Sequence, residues 1–315
     1  VDADERDMMR GRLIALLGSV AMMLSACSQP AERTIALTFD DATRGDSTVL
    51  TGEERTARLI EGLAEAGVDE AMFFVTTGNV ERADGSDRIR AYADAGHTLA
   101  NHSHSHMWLS QTDSDEYIAD LDKAVEVLAG FDRVEPYYRF TYLDEGRAVD
   151  KRDRLREALA ERGLKNGYVT IDTWDWSLDS LLQEASKSGS AFEMDYLRDL
   201  YVDVITKSTE FYDAMAQETL GRSPHHVLLL HENDIAALFI GDLVAELRER
   251  GFRIIPATEA FEDPIADEVP DTLYLGQGRI AALAHIAGWK PADLVSPTEN
   301  EEYLRSRFEK EVVAY

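Results

Sequence analysis

An α/β fold with a mainly parallel sheet wrapped by helices is predicted by two observations. Short β-branched or apolar runs alternate along the chain with segments whose apolar residues recur at helical spacing. The chemically distinctive residues stand where those short runs end, and the carboxyl ends of strands are where barrel active sites lie. Periodicity alone does not separate a closed barrel from an open doubly wound sheet.

The first strand is expected over 34–39, Thr-Ile-Ala-Leu-Thr-Phe, followed by a helix over 53–66. Further strands are expected at 71–76, 98–101, 137–140, 167–171, 227–230 and 252–255, with helices at 88–95, 115–129, 152–162 and 235–250. About seven β/α units result. Two regions lie outside this rhythm. Residues 177–224 form a long excursion in which 196–215 reads as an amphipathic helix, and beyond Pro256 the tail carries turn residues and then helices over 279–287 and 300–313. Capping the sheet is the usual role of such additions; shaping substrate selection is the other. There is no internal repeat and no low-complexity tract.

The chemistry concentrates in two places. Asp40 and Asp41 close the first strand, and Asn101-His102-Ser103-His104-Ser105-His106 follows some sixty residues on. A carboxylate, two or three imidazoles and a spare carboxylate are what a water-activating divalent metal site requires: ligands that leave a position open, and a base beside it. In strand geometry His102, His104 and His106 would share a face, so a three-histidine site is a rival to one built with Asp41. Amide hydrolysis further needs a stabiliser for the oxyanion and an acid for the amine.

Read in order, Thr38-Phe39-Asp40-Asp41, His102-Ser103-x-x-His106, Arg139-Phe140-Thr141-Tyr142, Asp172-Thr173-Trp174-Asp175-Trp176 and Leu228-Leu229-Leu230-His231 resemble the five ordered motifs of the polysaccharide deacetylase family, carbohydrate esterase family 4, also called the NodB-homology domain. The resemblance covers about residues 33–256 and implies a distorted (β/α)7 barrel of the TIM type. It implies Asp41, His102 and His106 as ligands of a divalent ion, zinc most plausibly, with His104 a variable position between them. It implies Asp40 as base, held ionised by Arg139. Tyr142 would help hold the oxyanion through its backbone N–H, and His231 would be the acid, charged and oriented by Asp175. Trp176 and Leu229 would line the acetyl pocket; Asp172 takes no role. In one departure Thr141 stands where the family has proline, so that loop lacks a proline's constraint.

Each residue also has a plainer reading. His231 after three leucines could be a satisfied core histidine, Trp174 and Trp176 core aromatics, and Arg139 a surface ion pair. His225-His226 has no motif support and is expected in a loop.

Composition bounds the function. Sixty Asp and Glu against 32 Lys and Arg give a formal charge of −28, which argues against binding nucleic acid or anionic lipid surfaces, since phosphate contacts need cations. A 315-residue chain with 44% hydrophobic content can bury one large core. The only cysteine, Cys27, closes Leu24-Ser25-Ala26-Cys27 after a basic start and an apolar run over 13–23, and the pattern resembles a bacterial lipobox. Residues 1–27 are thus expected to be a signal peptide with a start at Met8 or Met9, lipidated at Cys27, with Ser28 compatible with transfer to an outer membrane. The organisation expected is this segment, a catalytic domain over 33–256 with the insertion 177–224, and a helical extension over 257–315. The function expected is metal-dependent removal of acetyl groups from an envelope-accessible carbohydrate, most plausibly N-acetyl from a hexosamine glycan. The alternatives are an acetyl esterase on xylan-like polymers and a non-catalytic carbohydrate-binding lipoprotein.

Overall fold

The computed structural model describes residues 32–82 and 84–313, so the expected signal peptide and Cys27 lie outside the described residues. Seven parallel strands, β1 (Arg33–Ala42), β2 (Met72–Val75), β3 (Thr98–Asn101), β4 (Val134–Tyr138), β5 (Lys165–Asn166), β6 (His225–His231) and β7 (Phe252–Ile254), order as β5-β4-β3-β2-β1-β6, with β7 also on β1. Helices α1 (Gly52–Glu65), α2 (Gly85–Asp94), α3 (Ser114–Leu128), α4 (Val149–Glu161), α5 (Asp175–Ser188), α6 (Met194–Leu220) and α7 (Asp234–Glu249) surround the sheet. After β7 come α8 (Ala257–Ala260), α9 (Arg279–Ile286) and α10 (Glu301–Glu311).

β1 is central because it is paired on both edges. Its register with β6 runs residue for residue from Thr34↔His225 to Asp40↔His231, while its other edge meets β7 at Arg33–Ile35 and β2 from Thr38 onward. Such a strand is buried on both faces, and 34–40 is accordingly buried throughout. The sheet curls into a distorted β/α barrel at the segment after β5. That segment leaves β4, and Ile171 makes a parallel bridge to Leu228 of β6, with Leu229 N donating to Ile171 O. The expected strand over 167–171 is therefore two short pairings, because one stretch of chain crosses from β4 to β6.

Helix starts follow from local chemistry. Thr51 caps α1 in a reciprocal box with Glu54, Asp113 caps α3, and Asn233 caps α7 by accepting from Ala236 N. The long excursion begins as α5 and continues as the 27-residue α6, longer than the expected 196–215; both helices end on glycines with positive φ, Gly189 and Gly221. The expectation that His225-His226 lies in a loop is corrected. Both belong to β6, where His226 is buried with Nε2 3.1 Å from Asp213 Oδ1, so a hydrogen-bonding carboxylate compensates a histidine inside a strand.

The loop leaving β1 is clamped to the segment after β6 by two buried arginines. Arg55 of α1 reaches Asp234 Oδ1 (2.6 Å) and the Gly45 carbonyl (3.0 Å). Arg88 of α2 reaches Glu232 Oε1 (2.7 Å) and the Arg44 carbonyl (2.7 Å), and Arg44 N donates to Glu232 Oε2 at 2.7 Å.

The C-terminal helices share the main core: Ile280, Leu294, Leu304 and Phe308 pack in one cluster with residues of β1 and α6. They also bring a buried acid, Glu299, against Asp172 at the barrel. Glu299 Oε1 accepts from Tyr212 Oη (2.6 Å) and Ser296 N (3.3 Å). Burial, with Glu299 opposite, pushes the Asp172 carboxyl well above the usual range, and burial pushes Glu299 up to about 7. An acid whose pKa is raised by folding binds its proton more tightly when folded, so its contribution to stability is full below its unfolded pKa and is lost as pH rises through its folded one. The melting temperature should thus fall from pH 5 to pH 8, and Glu299→Gln, which keeps an acceptor for Tyr212, should flatten that fall. Circular dichroism melts across this range check it; an equally steep fall in the variant would refute the part assigned to Glu299.

Candidate active site

Adjacent residues of a regular strand point to opposite faces, yet Asp40 and Asp41 both face one site. The pairing of β1 with β2 slips between Phe39 and Ala42, and Asp41 adopts φ 67°, in the left-handed region that side chains other than glycine seldom enter. This break turns the second carboxylate back toward the first. Asp40 Oδ2 lies 3.6 Å and Asp41 Oδ1 3.8 Å from His102 Nε2.

The imidazoles arrive from the turn after β3. His102 Nδ1 donates to the Arg139 carbonyl at 3.0 Å, which fixes the tautomer and leaves Nε2 with its lone pair toward the aspartates. Burial pulls its pKa down to about 4 against the pull of Asp40 and Asp41, so it is neutral at pH 7, the form that can bind a metal. His106 Nε2 lies 3.0 Å from Asp41 Oδ1. Burial alone would raise the Asp41 carboxyl; the hydrogen bond and charge of His106, with His231 and His102 beyond, hold it well below the usual carboxylate range. Separations of 3.0 and 3.8 Å are within the roughly 4.2 Å that two ligands can span when each is about 2.1 Å from one ion. Asp41, His102 and His106 therefore fit a divalent cation, and they are the cluster of this kind among the described residues.

His104 is excluded from that cluster. The strand ends at Asn101, so the alternation that would align three histidines does not extend to them. His104 turns away, with Nδ1 2.9 Å from Thr77 Oγ1 and Nε2 2.6 Å from Lys123 Nζ. Both ring nitrogens are thereby engaged.

Arg139 is wholly buried, and the surface-pair reading of it fails. Its Nη1 donates to Asp40 Oδ1 (2.6 Å) and Thr38 Oγ1 (2.8 Å), its Nε donates to Gly167 O (2.7 Å), and the guanidinium lies 3.7 Å over the Phe74 ring. Residue 167 must be glycine for this seat: a Cβ there would lie 2.5 Å from the Phe74 ring. One carboxylate oxygen of Asp40 is thus tied to a permanent cation, and the other is directed toward His102.

His231 reaches the site because β6 pairs with β1 in the register Asp40↔His231. Its Nδ1 lies 2.7 Å from Asp175 Oδ1, and Asp175 Oδ2 accepts from His231 N (2.8 Å) and Asn233 Nδ2 (3.0 Å). Burial would lower the His231 pKa; Asp175, aided by Asp41 and Asp40, overcomes it and raises the value to about 9. The core-histidine reading is thus replaced by a protonated imidazolium with Nε2 uncommitted. Tyr142 stands at φ 59°, half exposed, its ring stacked on Trp108 at 3.7 Å and 4.5 Å from the edge of His106. Trp176 is partly exposed, 5.2 Å from Trp174, and Leu229 is buried on β6. Asp172, unassigned from sequence, contributes to the field around Arg139. Sequence reasoning missed Trp108, Asn233 and the Glu232–Asp234 clamp; the polar run Glu232-Asn233-Asp234 after His231 was visible, but nothing in the sequence revealed its partners.

A sequence model described as polysaccharide deacetylase matches residues 28–167. A peptidoglycan-N-acetylglucosamine deacetylase of Bacillus cereus is 31% identical over 142 residues, 45% of this chain and 46% of that protein. A chitooligosaccharide deacetylase of Rhizobium leguminosarum bv. trifolii is 35% identical over 146 residues, 46% of this chain and 60% of that one. The chain thus spans about half the length of these relatives. Among solved structures, a CE4 family pseudoenzyme from Bacillus anthracis superposes with TM-score 0.52 at 18% identity, over 74% of this chain and 67% of that one. A peptidoglycan N-acetylglucosamine deacetylase superposes with TM-score 0.50 at 22% identity, over 74% and 90%. These two likenesses concern the fold, and the matched stretch, residues 28–167, is similar in sequence to the polysaccharide deacetylase family.

Proposed function

We propose that this chain is a metal-dependent deacetylase that hydrolyses the N-acetyl group of a hexosamine-containing glycan. The observation that carries the reading is the convergence, at the carboxyl ends of β1, β3 and β6, of an arginine-held carboxylate, a three-ligand metal cluster and an aspartate-charged histidine. The names of the two relatives support an amide of an acetylated amino sugar over a xylan ester.

A divalent ion at Asp41, His102 and His106, zinc by its fit to such a ligand set, would polarise the acyl carbonyl and acidify a water. Asp40 takes a proton from the attacking water at Oδ2, since Oδ1 is occupied by Arg139. As the new C–O bond forms, the backbone N–H of Tyr142 donates to the acyl oxygen. His231 gives its proton from Nε2 to the amine while Asp175 holds Nδ1, and the C–N bond breaks to leave acetate and a free amine. Trp176 and Leu229 exclude water around the acetyl methyl. A cation held at Asp41 would lower the His231 value from about 9 by like charge, toward the range in which an acid is most effective.

A fold shared with a pseudoenzyme does not by itself imply turnover, so a glycan-binding protein without activity is the second reading. The intact set of base, ligands and acid weighs against it. The lipobox pattern at Cys27 supports an exported protein anchored by lipid in the envelope, the outer membrane being favoured by Ser28.

The following outcomes are expected. His102→Ala and His106→Ala should lose metal, by elemental analysis, while His104→Ala retains it; equal loss in the His104 variant would restore the three-histidine site. Asp40→Asn should keep metal while acetate release from N-acetylated chitooligosaccharide or peptidoglycan falls by about 10² to 10⁴. His231→Ala should fall similarly on amides and far less on phenyl acetate, whose leaving group needs no proton. Because His231 is held protonated by Asp175, Asp175→Asn should move the alkaline limb of the rate profile to lower pH. Unchanged turnover in the Asp40 and His231 variants would refute the mechanism, and glycan binding without cleavage by the parent would establish the second reading. Finally, the parent should take up lipid label and fractionate with membranes in a bacterial host, and Cys27→Ala should not take up label; a parent without label contradicts the anchor.

A further inference from the structure

Two stretches near the site hold non-glycine residues in the left-handed region: the turn carrying His106, with Ser103 at φ 69° and His106 at φ 55°, and the turn carrying Tyr142, with Tyr142 at φ 59° and Leu143 at φ 50°. Such conformations persist only where surrounding contacts impose them. The two turns are joined by a buried chain of hydroxyls. Thr141 Oγ1 donates to the carbonyl of Met107, the residue after His106. Since the threonine has a single hydroxyl proton, Tyr117 must be the donor in its 3.2 Å contact with Thr141 Oγ1, and Tyr138 Oη donates in turn to Tyr117 Oη at 2.8 Å. Tyr138, Tyr117 and Thr141 are all essentially inaccessible to water, so no solvent can replace a missing member. A second tie runs outside the first, where Trp108 lies flat on Tyr142 with rings 4° from parallel.

We propose that Tyr138, Tyr117 and Thr141 form a positioning relay that fixes the ligand turn of His106 against the Tyr142 turn, with Trp108 as its outer brace. The inference rests on the metal-dependent reading above. The relay is directional: it starts at β4, passes through α3 and ends on the one carbonyl between the ligand His106 and the brace Trp108. None of its three hydroxyls touches the metal ligands, so its effect is on how His106 and the Tyr142 backbone are aimed.

The test uses the whole chain and three readouts: zinc affinity by isothermal titration, kcat and KM for acetate release, and the melting temperature. Thr141→Val keeps shape and removes the hydroxyl, Thr141→Ser keeps the hydroxyl, and Tyr117→Phe breaks the relay one link back while leaving the threonine's bond to Met107. Thr141→Val is expected to weaken zinc binding and lower kcat by about 10- to 100-fold, the usual effect of losing support behind a ligand, with KM little changed. Thr141→Ser should recover most of both, and Tyr117→Phe should show a smaller loss of the same kind. Lowered melting with zinc affinity and kcat at parental values would mean the hydroxyls serve the core alone, and would overturn the relay. The same values in Tyr117→Phe decide the matter if Thr141→Val does not fold. A parent that binds zinc while the variants match it refutes the relay alone, whereas a parent that binds no zinc refutes the metal reading and the relay with it.

Discussion

Two consecutive aspartates of one strand must serve one site, and the rest of the structure accommodates that constraint. Strand alternation would separate Asp40 and Asp41 by a sheet, so β1 is broken at Asp41 by a left-handed residue and a slip in register. The strand resumes only for Ala42, paired with Val75 of β2, and the loop that follows needs other partners. Arg55 and Arg88 supply them by binding the loop carbonyls of Arg44 and Gly45 while paired with Asp234 and Glu232. Glu232 N also donates to the Asp40 carbonyl at 2.9 Å, so the clamp grips the strand at Asp40 itself. Buried ion pairs of this kind add little over an apolar core, but removing one partner costs about 3–5 kcal/mol because the other charge is left unpaired. Their contribution here is to allow one loop path and to penalise others.

The same residue type is driven to opposite protonation states within one site. His102 is buried and His231 partly so, and burial alone would favour the neutral form of both. They diverge through their Nδ1 partners. His102 donates to the carbonyl of Arg139, which adds no net charge, and its value falls to about 4. His231 faces the Asp175 carboxylate and rises to about 9. A metal ligand must offer a lone pair and an acid must carry a proton, so the different Nδ1 partners suit the two histidines to the two roles proposed for them.

Much of this was legible in the sequence. Six of the seven strands and the helices α1–α4 and α7 were found within a few residues because burial on one or both faces writes itself into periodicity, and the motif residues fell where strands end, whereas α5 had no expected counterpart. What could not be read depends on pairing across long separations. The placement of 167–171 depended on its crossing between β4 and β6, and His226 looked like a loop residue until Asp213 supplied its partner. The role of His104 was open because His102, His104 and His106 are equivalent in spacing; Thr77 and Lys123 resolve it, and neither is marked by any motif. Thr141 could be read only as an absent proline, since the acceptor of its hydroxyl, the Met107 carbonyl, is a backbone group 34 residues away.

The stretch matched by the family, residues 28–167, includes Asp40, Asp41, His102, His106 and Arg139, but neither Asp175 nor His231. The two halves of the site are therefore joined by structure, through the seven-residue register of β1 with β6. That register has no tolerance, since a slip of one residue would turn every side chain of β6 to the other face and carry His231 away from Asp40. Its fidelity comes from burial on both sides of the pair. Leu228 and Leu230 pack in the core, Thr38 Oγ1 donates to Leu228 O, and Thr173 Oγ1 donates to Leu229 O from the opposite edge. Thr38 is also a partner of Arg139. One threonine hydroxyl thus connects the register that delivers His231 to the arginine that holds Asp40, so the spacing of the proposed acid and base is set by the same bonds that close the barrel.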